Sequence, residues 1–214
     1  MAEHAFVRLS AWYHGLGLHG VRDLADLDGA EGLVHEDDHD PEHYAVTIAT
    51  GVHTGGVGVA TQQLDGPPAL VEPGWEAVVD VSVHVGTDGP ARVIAPAGLA
   101  GEAEPPALSD GRTGWWRLRV HARGRNLRWD GAGPLPGEPL DELFLVQAWK
   151  ASPSGGRVHA TDGDAWERSA SAARRAAAAT RTGPVSVTGT LRRVGPTAGG
   201  PGRRWAQGPR PPRA

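Results

Sequence analysis

The residues best suited to chemistry sit in an acidic, histidine-rich run, His35-Glu36-Asp37-Asp38-His39, with His43 four residues on. The spacing matches H-E-x-x-H. On a helix it puts two imidazoles on one face to bind zinc, with the glutamate placed to activate water and His43 available as a third ligand. The surroundings oppose a helix. Gly32 and Pro41 cut the segment short, both x positions are aspartate, and no apolar residue anchors the far side. The run Gly29 to His43 therefore reads as a solvated acidic loop. A metal-binding protein or zinc-dependent hydrolase using His35, His39 and His43 is the alternative.

A second motif is Gly15-Leu16-Gly17-Leu18-His19-Gly20, which matches G-x-G-x-x-G. In a dinucleotide fold this loop follows a strand and opens a helix whose N-terminus faces the pyrophosphate. A strand over residues 6–14 does precede it. Only one or two helical turns, carried by Val21, Leu24 and Leu27, fit before Gly29, and no βαβ unit follows. The motif reads as glycines closing a strand. No G-x-S-x-G is present, and Ser152 and Ser154 fall in a linker. With no cysteine in the chain, disulfides, thiolate metal sites and cysteine nucleophiles are excluded. The expectation is a non-enzymatic protein with no cofactor.

A third group is basic. The stretch Gly114 to Arg125 reads GWWRLRVHARGR. Its period-2 alternation puts Trp116, Leu118, Val120 and Ala122 on one side of a strand and Trp115, Arg117, Arg119, His121 and Arg123 on the other, with Arg125 just beyond. The first side is candidate core. The second is a candidate binding face about 20 Å long. If its arginines meet acidic residues across the sheet, such as Asp80 or Glu142, it is structural instead. A net charge of −4 and the lack of interleaved aromatics argue against nucleic acid and favour an acidic protein partner.

These groups must be positioned by strands. Residues 44–50, 57–63, 75–85, 91–95 and 140–149 all read as β, the last apolar on both faces and so central. Glycine (31) and proline (18) supply turns at near-regular spacing. The pattern predicts an all-β antiparallel sandwich of about seven or eight strands over residues 1–150. A linker over 151–163 follows, then an alanine-rich helix over 164–182 that docks weakly because Trp166 is its one large apolar residue, and a disordered tail over 183–214. No apolar run approaches the roughly 18 residues of a membrane span, and no signal segment is evident, so a cytoplasmic protein is expected.

The strand Gly114–Arg125, the ELFLVQAW strand, the Gly51-Val52-His53-Thr54-Gly55 turn and the Gly74-Trp75 strand opening together resemble a group of small actinobacterial β-sandwich proteins. More remotely, the layout over roughly 6–149 resembles the competence protein J family, associated with inhibition of a DNA-entry nuclease. The resemblance implies a protein-binding, inhibitor-like or immunity-like module with a nuclease among its possible partners. The chain departs from the group at Gly15 and Gly17, where bulkier polar and aromatic residues usually stand.

Overall fold

A computed structural model of the chain describes residues 4–36, 45–96 and 103–182. Period-2 alternation makes the two most regular strands, the valine-rich β7 (Ala77–Val85) and β9 (Gly114–Arg123), where apolar residues alternate with Arg and His. They pair antiparallel along their full length, Ala77 opposite Ala122 through Val85 opposite Gly114. The other strands are β1 (Val7–Trp12), β2 (Gly15–His19), β3 (Val21–Leu24), β4 (Val34–Glu36), β5 (Val46–Ala49), β6 (Thr54–Gln63), β8 (Arg92–Ile94), β10 (Leu143–Lys150) and β11 (Arg157–Ala160). A 3-10 turn, Ala30–Gly32, precedes β4, and the helix α1 (Asp164–Thr182) follows β11.

The fold is predominantly β, but it is not a sandwich of two sheets. All eleven strands among the described residues belong to one sheet, in the order β11-β7-β9-β10-β6-β1-β2-β5-β4, with β3 added to β7 and β8 to β2. The sheet curls into a nearly closed barrel. Its strand pairs are antiparallel except β6 with β10, which run parallel from Gly58 opposite Leu143 to Gln63 opposite Ala148. The reason lies in β6. This strand bonds β1 on one edge and β10 on the other, so it joins the two halves that a sandwich would separate. Gly56 and Gly58 let the Arg8 and Leu143 side chains cross the strand where any Cβ would collide with them. Glycine in a strand weakens it as an isolated element but allows a sharp bend at a barrel corner.

The inner face is the core. Trp116, Leu118, Val120 and Ala122 of β9 are buried there with Val79, Val81, Val83, Phe144 and Val146. Three further segments differ from the sequence reading. Residues 15–19 form strand β2, Val21–Leu24 forms β3 instead of helical turns, and the stretch 151–163 contains β11, paired to β7. The helix α1 docks firmly at its start: Ala165, Trp166 and Ala170 are buried, and Trp166 joins the core. Gly32 makes this fit, because a Cβ there would overlap the Trp166 indole. Residues 4–182 thus belong to one compact unit. Among the described residues no helix is long and apolar enough to cross a membrane. The disordered tail expected over 183–214 lies outside the described residues.

Candidate functional site

The arginine side of β9 is not an open surface. Arg119 stands directly opposite Asp80 across the sheet, and its Nε and Nη2 donate to Oδ1 and Oδ2 at 2.7 and 3.0 Å. His159 of β11 brings Nε2 within 3.0 Å of the same carboxylate. Burial pushes the Asp80 carboxyl upward, but the Arg119 and His159 hydrogen bonds outweigh it and hold the group below the usual carboxylate range. Arg117 donates to Ser82 Oγ at 2.9 Å and to the Ser154 carbonyl at 2.8 Å. His121 is fully buried, and burial pushes its imidazole down to about 4, so it is neutral and its Nδ1–H donates to the Leu145 carbonyl at 3.2 Å. The guanidinium of Arg123 lies 5.2 Å from the Trp75 ring centroid, and half-buried Trp115 meets His84 edge-on. Residues 64–76 and the 151–160 segment lie over this face and supply several of its partners. The proposed face is therefore a covered polar layer, and Arg119 has the acidic cross-strand partner, Asp80, that marks a structural role.

The H-E-x-x-H segment does not start a helix. His35 and Glu36 are consecutive residues of strand β4, so their side chains point to opposite sides. His39 and His43 lie outside the described residues. Among the described residues no group of three His, Asp or Glu side chains is placed to hold a metal ion. The glycines of G-x-G-x-x-G lie in and just after β2, and β3 follows in place of a helix. The close approach of the Thr47 methyl to Gly15 accounts for that first glycine.

What the structure does bring together is a group at one end of the sheet. The β1–β2 connection is a two-residue turn, Tyr13-His14, closed by the pair Trp12 and Gly15. Both central residues have positive φ, 48° and 63°. Hairpins select such mirror-image turns because their twist matches that of the strands, and Asn-Gly is the usual filling. Tyr and His hold this backbone at a cost of about 1–2 kcal/mol each. The result presents Tyr13, 65% exposed, and Trp12, 45% exposed, edge-on to one another at 5.2 Å. His14 turns the other way. Its ring stacks on Trp129 at 5.1 Å, meets His53 edge-on at 5.1 Å, and brings Nε2 within 3.2 Å of Asp130 Oδ1. Tyr13 also contacts His53, at 5.0 Å. Asp130 is itself in the left-handed region, with φ 59°. Arg168 reaches from α1 to lie 5.2 Å from the Trp129 centroid.

Loop 50–53 is the hub of this group. Thr50 N–H donates to the His14 carbonyl (2.8 Å), His14 N–H to the His53 carbonyl (3.1 Å), His53 N–H to Gly131 (2.9 Å) and Asp130 N–H to Gly51 (3.0 Å). Glu142, 2% exposed, pins the loop from below by accepting N–H bonds from Gly51 and Val52 at 2.7 and 3.0 Å. Only glycine fits at 51, since a Cβ would run into the Arg125 carbonyl. Burial pushes Glu142 up to about 7 although those N–H bonds and Arg125 pull it down. Arg125, the last residue of the sequence-predicted basic face, is fully buried, donates to the carbonyls of Gly32 and Ala165 and to Ser169 Oγ, and lies 3.4 Å from Asp162.

Sequence reasoning missed this site because neither Tyr13 nor His14 is a turn-forming residue, and residues 6–14 read as one uninterrupted strand. The available signal was the Gly51–Gly55 turn, with Trp129 standing alone in a Gly/Pro-rich loop. In comparisons with known proteins the chain matches no family model, no curated protein and no solved structure.

Proposed function

We propose that this is a non-enzymatic protein-binding module whose recognition surface is the Trp12-Tyr13 turn with His53 and Trp129 behind it. The observation that carries the reading is the strained turn: two residues held at positive φ keep a Trp–Tyr pair in solvent. Strained backbone persists where the surroundings over-determine it and concentrates at functional positions. Trp and Tyr are also the residues that most often dominate binding energy at protein interfaces. Ring contacts and backbone hydrogen bonds from three loops hold the cluster in place. Such preorganisation lowers the entropy cost of association.

The resemblance to inhibitor-like β-proteins supports a nuclease as the partner class. The partner's contacts would fall on the turn, since the arginines of β9 are engaged within the sheet. The test is a binding and inhibition assay against a DNA-entry-type nuclease, alongside co-purification from the host. Trp12→Ala and Tyr13→Ala are expected to weaken binding by roughly tenfold to a few hundredfold each while leaving the fold intact. A partner that binds both variants as tightly as the parent chain sinks the proposal.

A further inference from the structure

The nearly closed sheet leaves a seam. β3 extends the edge of β7, β4 ends the opposite run of strands, and among the described residues no pairing joins the two. Helix α1 lies against this seam without filling it. Its buried face starts with Trp166 and Ala170, and further along the same face come Ala173 and Ala177. Alanine is too short to reach the sheet, so a groove of about 600 Å³ remains, with Leu24, Leu27, Ala173 and Ala177 as its apolar lining. A space of that size holds several side chains of a ligand. His35 and Glu36 both border it, although consecutive strand residues point to opposite faces, so the groove opens along the edge of β4.

The groove is acidic. Asp26, Glu31 and Glu36 line it against one cation, Arg174. Other surface carboxylates of the sheet pair with arginine, as Asp88 does with Arg22 and Asp141 with Arg128. Among the described residues Asp26, Glu31 and Glu36 make no ion pair, and the Asp26 carboxylate accepts the Asp28 N–H at 3.1 Å. These carboxylates do not converge, since among the described residues no three His, Asp or Glu side chains are placed around a metal position. Negative charges spread along an apolar groove fit a chain carrying several cations and not a single ion.

We propose that this seam is a second binding site, distinct from the Trp12-Tyr13 surface, and that it takes a basic peptide segment of a partner protein. The Lys or Arg heads of the segment meet Asp26, Glu31 and Glu36, and their aliphatic stems lie over the leucines and alanines. Charge complementarity of this kind steers the partner and sets its register.

The experiment titrates the full chain by calorimetry with a short end-blocked peptide of alternating lysine and valine, and with its twin in which glutamate replaces lysine. The lysine peptide is expected to bind, with NMR shifts at Leu24, Leu27, His35 and Ala177, and the glutamate peptide is not. Affinity is expected to fall roughly tenfold between about 20 and 200 mM salt, because the charges lie near the surface. Glu31→Lys with Glu36→Lys is expected to weaken binding about tenfold or more, whereas Glu104→Lys, which reverses an exposed carboxylate elsewhere, leaves it unchanged. Ala173→Leu with Ala177→Leu fills the groove with good helix formers and is expected to abolish binding with every charge intact. No binding of the lysine peptide, equal binding of the glutamate peptide, an equal loss from Glu104→Lys or shifts confined to another face overturns the proposal. If the double lysine variant does not fold, the double leucine variant decides the same point.

Discussion

Replacing Asp80 by alanine tests whether the basic side of β9 is structure or site. The carboxylate is 6% exposed and accepts two hydrogen bonds from Arg119, itself 7% exposed, with His159 on the same oxygen pair. Removing it strands a guanidinium in a covered layer that also holds Arg117. Breaking one half of a buried pair costs about 3–5 kcal/mol, because the remaining charge loses its compensation. For a unit of this size that corresponds to a fall in Tm of roughly 6–20 °C. Urea denaturation and calorimetry of Asp80→Ala measure it directly. The companion variant Asp80→Leu with Arg119→Met removes both charges and keeps the volume, so its stability is expected to return to within about 2 kcal/mol of the parent. Asp80 also contributes an acid limb: its carboxyl is held below the unfolded value of 3.8, so its stabilisation is present above that pH and is lost as the pH falls below it. The reasoning fails if Asp80→Ala or Arg119→Ala costs less than about 1 kcal/mol and yet abolishes partner binding. That outcome would return the arginine face to the role its sequence suggested.

Three further outcomes follow from other parts of the sheet. Gly51→Ala forces a methyl against the Arg125 carbonyl and is expected to cost about 2–3 kcal/mol in chemical denaturation, with the largest NMR shifts at His14, His53 and Asp130. His121 is buried and neutral with its imidazole lowered from 6.5 to about 4, so its contribution of about 3 kcal/mol is present above 6.5 and is lost as the pH falls toward 4; its ring resonances should stay constant between about pH 5.5 and 8, and titration in that range contradicts the burial. Trp166→Ala removes the anchor of α1 from the core and is expected to cost about 3–5 kcal/mol and to expose the helix to limited proteolysis, whereas Ala177→Ser, on the exposed half of α1, should change neither.

The strands were legible where their signal was local. Period-2 alternation identified β7, β9 and β10, and it assigned Trp116, Leu118, Val120 and Ala122 to the core, because alternation follows from backbone geometry alone. The same pattern is silent about what covers the other face. Arg117 and Arg119 looked exposed because charged residues usually are, and their cover comes from residues such as Leu70 and Ser154, far away in the chain. The readable clue was Asp80, the one acidic residue in the central run of β7. Glu142 was expected to serve the arginines of β9 and instead receives the backbone of loop 50–53, a role that only the three-dimensional crossing of two loops reveals. Glycine was the hardest residue to read: Gly15 and Gly17 read as closing a strand but sit within β2, where Gly15 meets Thr47 closely, and Gly58 in β6 leaves room for the Leu143 side chain.

The site, by contrast, lies where local rules are broken. Of the four non-glycine residues with positive φ among the described residues, Tyr13, His14 and Asp130 meet in one group, and the fourth, Asp28, stands elsewhere. No propensity scale predicts a Tyr-His pair in a mirror-image turn, since Asn-Gly would form it with less strain. A sequence that keeps the costlier residues there is using their side chains: one aromatic ring displayed outward, one imidazole locked between Trp129 and Asp130. Local consistency marks the scaffold, and the concentrated departures from it mark the place where stability has been traded for something else. Tyr13→Asn with His14→Gly makes that trade measurable. The double variant is expected to keep the hairpin and shed the turn strain of about 2 kcal/mol or more, against a smaller loss from the ring contacts, while losing the partner. A variant that is both less stable and still able to bind would show that the turn is neither strained nor functional.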